Sequence, residues 1–390
     1  MNFNGTPQQL FWQGSPRDIV FDIDRIREKL RQTEKPCYVM QDFNGRIGVS
    51  NTGALVSEGR GLQVLAITSP MTAGQLGDPS FRADYKLKYA YKTGAMANGI
   101  ASADLVIAIG KAKLLASYGA AGQVPEKIIE SIDKIQANLP HQTYAVNLIH
   151  SPSEQALEAA AVDLFLSKGV TVVEASAFLA LTENIVYYRV AGLSRGADNK
   201  IVIGNKVIAK ISRKEVALPF MKAPPETFVQ SLLEKGKITA EQVELAKHVP
   251  MADDITVEAD SGGHTDNRPL VALLPIIIQL RDEMQQQNGF TTPIRVGAAG
   301  GISTPASALA AFMMGAAYVV TGSVNQACVE AGTSEHVRKL LQVVESTDVM
   351  GAPASDMFEM GVDLQVLKRG TLFGPRAKKL YKYYQTYESI

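Results

Sequence analysis

Two glycine turns and one histidine turn carry the residue types best able to do chemistry. In Ile294-Arg295-Val296-Gly297-Ala298-Ala299-Gly300-Gly301-Ile302-Ser303-Thr304-Pro305, a β-branched run ends in adjacent glycines. Thr304 and Pro305 then supply a helix N-cap and first-turn residue. Lacking Cβ atoms, Gly300 and Gly301 let backbone N–H groups approach an anion closely, and the following helix adds its positive end. One unit later, Val319-Val320-Thr321-Gly322-Ser323 repeats the pattern. Ordinary tight βα turns use the same residues. Two such turns in succession near the end of a barrel match a phosphate site, and Thr321, Gly322 and Ser323 join Gly300 and Gly301 as its candidates.

The histidine turn is Ile255-Thr256-Val257-Glu258-Ala259-Asp260-Ser261-Gly262-Gly263-His264-Thr265-Asp266-Asn267. A strand running into Asp-Ser-Gly-Gly-His puts an imidazole at the strand's carboxyl end, where it can donate or shuttle a proton near neutrality. Gly262 and Gly263 leave room for a flat or phosphorylated ligand. The plainer reading has His264 capping a neighbouring helix. His141, His150, His248 and His336 have no comparable setting and read as structural or surface residues. No second His or Cys stands at ligand spacing, so no metal site is expected. No serine occupies a nucleophile-elbow sequence either.

Lys210 is the third candidate. Strand parity in Val207-Ile208-Ala209-Lys210-Ile211-Ser212-Arg213 puts Ile208, Lys210 and Ser212 on one face. An inward lysine needs an anionic partner, whereas an outward one snorkels to solvent.

These residues need a frame. Eight short β-branched runs alternate with helical patterns: Leu62–Thr68, Leu115–Tyr118, 143–148, 170–173, Lys206–Ile211, 255–259, 294–298 and 317–321. Alternation of this kind predicts right-handed βαβ units and a parallel sheet. Eight units favour a closed (β/α)₈ barrel, an α/β TIM barrel, over an open doubly wound sheet. Residues 1–60 read as a small N-terminal subdomain with a hairpin around Asn44-Gly45, and 61–330 as the barrel. Within that barrel, 69–101 is a long segment after the first strand, and 214–254 is expected to form a helical cap over the mouth. Residues 331–390 read as a helical, basic tail with Lys368, Arg369, Arg376, Lys378, Lys379 and Lys382.

Lys+Arg and Asp+Glu both number 39, which argues against a global polyanion binder, and no nucleic-acid-binding motif is present. Cys37 and Cys328 are too few for a disulfide framework or a cysteine zinc cluster. The opening residues lack a basic-then-apolar leader, and the most apolar stretches are too short to span a bilayer. A cytoplasmic protein with no membrane contact is expected.

The ordered motifs of this chain resemble the flavin-dependent nitronate monooxygenase / enoyl-acyl-carrier-protein reductase family. Within it they are closest to the stand-alone PfaD-type enoyl reductases that serve polyunsaturated-fatty-acid and polyketide synthases. The resemblance rests on Thr68-Ser69-Pro70-Met71-Thr72-Ala73-Gly74, Gly94-Ala95-Met96-Ala97-Asn98-Gly99-Ile100-Ala101-Ser102 and Tyr118-Gly119-Ala120-Ala121-Gly122. Ala145-Val146-Asn147-Leu148-Ile149-His150-Ser151-Pro152, the Lys210 strand, the histidine turn and the first glycine turn complete it, so it covers nearly the whole chain.

The resemblance implies FMN at the barrel mouth, NADPH or NADH as hydride donor, and a 2,3-double bond on a carrier-bound acyl chain as substrate. An acyl carrier protein or carrier domain would be the partner. Gly300, Gly301, Gly322 and Ser323 then fall where the family holds the FMN phosphate. Asn147 matches a flavin-contacting asparagine, Gly262 a glycine of the histidine loop, and Pro70-Met71 the strand-one turn near the ring. His264 matches the catalytic histidine. The wider family commonly carries Glu where this chain has Asp260. An inward Lys210 would meet the charge on the reduced flavin's N1/O2 edge.

Other readings remain at this level. One is flavin-dependent oxidation of a nitronate by O₂. Others are a non-redox barrel enzyme that shares the phosphate cradle, or a carrier-binding component without turnover. The basic tail suits docking to an acidic carrier domain, or is solvated surface. Exposed barrel helices would also allow a homodimer.

Overall fold

The computed structural model describes residues 10–57, 61–150, 155–263, 265–355 and 357–387. The chain forms two compact units, Met1–Leu76 and Gly77–Ile390. In the first, β1 (Phe11–Gln13), β2 (Cys37–Gln41), β3 (Ile47–Ser50), β4 (Ala54–Val56) and β5 (Leu62–Thr68) make one sheet in the order β3-β2-β5-β1-β4, joined by helix α1 (Ile23–Arg31). The Asp42 carboxylate accepts hydrogen bonds from the Asn44 and Arg46 N–H groups and closes the β2–β3 hairpin. Trp12, Met40 and Val49 are buried in this unit.

Here the first expectation is corrected. The run Leu62–Thr68 pairs antiparallel with β1 and β2 and is no barrel strand. The N-terminal unit therefore extends beyond residue 60 to Leu76.

In the second unit, α2 (Pro79–Tyr85) precedes strands β6 (Tyr91–Thr93), β7 (Leu115–Tyr118), β8 (Ala145–Ile149) and β9 (Val172–Ser176). A small hairpin of β10 (Leu193–Arg195) and β11 (Ile201–Ile203) follows. Then come β12 (Lys206–Ile211), β13 (Asp254–Glu258), β14 (Arg295–Ala299) and β15 (Val319–Thr321). The eight strands β6–β9 and β12–β15 close into a parallel barrel; β15 pairs with β6 through Thr321↔Thr93, and β9 with β12 through Val172↔Lys206. The true first strand lies inside the segment read as an insertion.

Helices α3 (Ala103–Lys111), α4 (Pro125–Asn138), α5 (Gln155–Ser167) and α6 (Glu183–Ala191) lie between the early strands. Their starts are local chemistry: Ser102 and Thr182 accept from the N–H groups of Leu105 and Ile185, and Pro125 opens α4. The amino-terminal end of the barrel is sealed by α2. Phe81 stacks on Tyr318 at 4.1 Å, and Arg295 Nε meets Asp254 Oδ1 at 2.6 Å. Leu115, Ala145, Val172 and Ile208 pack above that seal. The opposite, carboxyl end is left to the loops, as barrels of this kind require for a site.

After β12 come α7 (Lys214–Phe220), α8 (Glu226–Glu234) and α9 (Ala240–Ala246), the last opened by a Thr239/Gln242 capping box. Lys235 Nζ lies 2.6 Å from Glu183 Oε1, and Gln242 Nε2 donates to Ala191 O at 2.9 Å. Glu183 opens α6 and Ala191 ends it, so the insertion runs along the outside of α6. The helices expected as a cap are present, but they thicken the outer layer instead of covering the mouth.

Helices α10 (Leu270–Asn288) and α11 (Pro305–Met313) complete the ring. Beyond it, α12 (Glu335–Leu341) is followed by an unforeseen hairpin, β16 (Val349–Pro353) and β17 (Asp363–Leu367), against which α13 (Phe373–Thr386) packs. Among the described residues no helix is long and apolar enough to cross a membrane.

Candidate active site

Strand parity turns a ring of polar side chains into the barrel just below its carboxyl mouth. Lys92 on β6, Ser117 on β7, Glu174 on β9, and Lys210 with Glu258 on β12 and β13 belong to it. Lys92 pairs with Glu174, whose Oε2 also accepts from Ser117 Oγ at 2.7 Å. Glu174 Oε1 accepts from the Ala95 N–H, 3.2 Å away, in the turn that follows β6. Lys92 and Glu174 are sealed from solvent (0% and 1% exposed), which only a direct partner makes tolerable. Burial pushes the Lys92 ammonium down and Lys210 adds repulsion; the touching Glu174 carboxylate opposes both. Asn147 is buried beside them and donates to Ser176 Oγ at 3.0 Å.

Lys210 lies inside the barrel, paired with Glu258 at 3.1 Å. This pair is not sealed: the side chains are 20% and 13% exposed. The anion that the sequence demanded of an inward lysine is thus supplied two strand positions before Asp260. Ser261 Oγ reaches the same carboxylate at 3.4 Å.

From Glu258 the chain enters the histidine turn, which four hydrogen bonds hold. Asp260 N–H donates to Arg268 O at 2.9 Å, and Gln365 Nε2 on β17 donates to Asp260 Oδ1 at 2.7 Å. Asp266 accepts from Ser212 Oγ and Arg213 Nε, both at 2.7 Å, tying the turn to the end of β12. The Arg213 guanidinium and the Ser212 hydroxyl hold the Asp266 carboxyl below the usual carboxylate range. His264 itself lies outside the described residues.

The two glycine turns adjoin this loop. Gly300 has φ +88°, and a Cβ there would come within 2.6 Å of Ala259 O, so only glycine lets the turn pass so close. Gly262 faces Ser323: a Cβ on Gly262 would sit 2.9 Å from Ser323 Oγ. Gly301 (φ +70°) and Gly322 instead look into open space. Among the described residues, nothing accepts from the backbone N–H groups of Gly301, Ile302, Gly322 or Ser323. By contrast, the N–H groups of Ser303 and Thr304 are taken by Ser307 Oγ. The Thr321 hydroxyl is likewise committed, to Tyr91 Oη at 2.6 Å and Asn325 Nδ2 at 3.0 Å, which makes Thr321 a brace for the turn. An anion would thus find backbone donors at two adjoining turns.

Pro70 and Met71 do not follow the first barrel strand. They follow β5 in the N-terminal sheet, whereas the turn after the first barrel strand is Gly94-Ala95-Met96. Sequence reasoning missed Lys92, Ser117, Glu174, Glu258 and Gln365. The Glu258 position was readable from parity with Thr256, but Glu174 meets Lys92 across 82 residues, and nothing local announces that.

Residues 12–70 match the family described as Fatty acid synthase subunit PfaD N-terminal domain. A polyunsaturated fatty acid synthase polypeptide of Thraustochytrium sp. is 50% identical over 376 residues, 95% of this chain and 24% of that protein. Polyketide biosynthesis protein PksE of Bacillus subtilis is 46% identical over 325 residues, 83% of this chain and 42% of that protein. The chain thus spans about a quarter and about two fifths of the length of these curated relatives. Among solved structures, the enoyl reductase domain of MlnA, from the macrolactin biosynthesis cluster of Bacillus amyloliquefaciens, superposes with a TM-score of 0.78 at 42% identity. That match covers 82% of this chain and 72% of the MlnA chain. With a solved domain matched at that identity over most of both chains, the protein belongs to the PfaD-type enoyl reductase family.

Proposed function

We propose that this protein is an FMN-dependent enoyl-acyl-carrier-protein reductase. It uses NADPH or NADH to reduce the 2,3-double bond of carrier-bound enoyl thioesters in polyketide or polyunsaturated fatty acid synthesis. The observation that carries this reading is the meeting of the two glycine turns with the 259–263 loop over a polar barrel floor. The donor set fits FMN: backbone N–H groups at Gly301, Gly322 and Ser323 suit a phosphate, and the Gly301 and Gly322 Cβ positions lie in space a side chain would fill. Lys210 and Asn147 suit the polar edge of a flavin ring.

When bound, FMN supplies the two-electron relay between nicotinamide and enoyl thioester. The chain's own residues do the rest. The glycine turns hold the phosphate, and Gly262 and Gly263 let the 259–263 loop pass close to Ser323 and Glu258. Lys210 supplies positive charge at the floor, and the closed barrel excludes water. His264 delivers the proton that the α-carbon needs, or orients the thioester carbonyl toward its acceptor state.

Purified protein, loaded with FMN where necessary, should show a flavin absorbance spectrum and, without oxygen, sustain multiple turnovers of NADPH or NADH only when a crotonyl thioester is present. Protein that FMN cannot reconstitute, or that reacts with a nitronate and O₂ but not with the enoyl thioester, would overturn the proposal.

A further inference from the structure

The floor of the barrel holds two ammonium–carboxylate pairs, and they differ in one respect. Lys92–Glu174 is sealed, and its carboxylate is also engaged by Ser117 and the Ala95 N–H. Lys210–Glu258 opens toward the mouth. We infer that Glu258 is the counter-ion of Lys210 and sets how much positive charge the flavin site feels, and hence the flavin's reduction potential. This rests on the flavin reading above and deepens it.

Geometry makes the pairing fixed, not incidental. Glu258 lies between Lys210 on one side, 3.1 Å away, and its own loop on the other. Ser261 Oγ stands 3.4 Å from Glu258 Oε1, and a Cβ at Gly263 would come within 3.2 Å of the same oxygen. The carboxylate therefore has little room to swing off the lysine. Among the described residues, Glu258 is the only carboxylate within ion-pair distance of Lys210.

The electrostatic consequence follows from the exposure. Both side chains are largely withdrawn from water, so screening is weak and each charge acts over several ångströms. As a pair they present a dipole to the space above the floor. Without Glu258, a full cation remains and favours the negative charge a flavin gains on reduction. Without Lys210, a bare carboxylate remains and opposes it. Glu258 is thus a positioning and tuning residue, acting through Lys210.

The test is anaerobic dye-equilibrated titration of the FMN-loaded protein. Glu258→Gln should raise the two-electron midpoint potential by about 30 mV, a tenfold change in the equilibrium. Lys210→Met should lower it, and the double variant should return close to the wild-type value. Should Glu258→Gln fold poorly, Glu258→Asp keeps the charge and should stay near wild type while Lys210→Met still falls. An FMN-replete Glu258→Gln protein with an unchanged or lowered potential overturns the counter-ion assignment alone. A wild-type chain that takes up no FMN overturns the flavin reading, and this inference with it.

Discussion

Gly300 and Gly301 are neighbours under different constraints. Both have left-handed φ, at +88° and +70°. A Cβ on Gly300 collides with the backbone of Ala259 and Asp260, while one on Gly301 meets nothing within 4 Å. Gly301→Ala should therefore cost only the left-handed penalty, roughly 1–2 kcal/mol of stability, yet weaken FMN binding about tenfold by crowding a hydrogen-bonded anion. Gly300→Ala should cost more stability than that. Urea unfolding beside FMN titration checks the pair; a Gly301→Ala protein that binds FMN as well as wild type would contradict the cradle. These glycines were legible because turn chemistry is local, written in a few consecutive residues. The Lys92–Glu174 pair was not, because a lysine in a three-residue strand gives no sign of a partner 82 positions on.

Among the elements, the first barrel strand is the instructive difference. Leu62–Thr68 is a long β-branched run and reads as a strand, which it is. Hydrophobic patterning reports that a strand forms, not which sheet it joins, and β5 joins the N-terminal one. The three-residue β6 carries Lys92 at its centre and breaks the apolar signature that a barrel strand normally shows. Pro70-Met71 accordingly follows a strand of the N-terminal sheet and not the first barrel strand.

The histidine turn is held by elements on two sides, Arg213 after β12 and Gln365 on β17. The Arg213 side depends on pH. With the Asp266 carboxyl lowered by its partners, the clamp's stabilisation is fully present above the unfolded value of about 3.9. It is lost as pH falls through the lower folded value. Asp266→Asn should remove that acid-side slope in a series of urea unfolding curves. Wild-type and variant curves that run parallel below about pH 4 would contradict the clamp.

At the scale of the whole molecule, a closed eight-stranded parallel barrel follows from the βαβ rhythm, even with one strand misassigned. What the rhythm does not reveal is where the flanking segments settle: the 214–254 insertion lies outside α6, and the C-terminal hairpin reaches the histidine turn instead. Net charge is zero overall, yet the stretch through Lys368, Arg369, Arg376, Lys378, Lys379 and Lys382 has only one sign, and α13 carries four of the six. If that helix meets an acidic carrier domain, charge reversal at Lys378 and Lys379 should raise the KM for a carrier-bound enoyl thioester several-fold while turnover of a small crotonyl thioester stays the same. Equal effects on both substrates would remove the docking role.

The most direct measurement is an anaerobic stopped-flow experiment on FMN-loaded protein in two mixes. NADPH or NADH in the first mix should bleach the flavin absorbance, and a crotonyl thioester in the second, with no oxygen present, should restore it and yield the saturated thioester. Flavin that bleaches but stays bleached until oxygen is admitted would contradict an enoyl reductase at this barrel mouth.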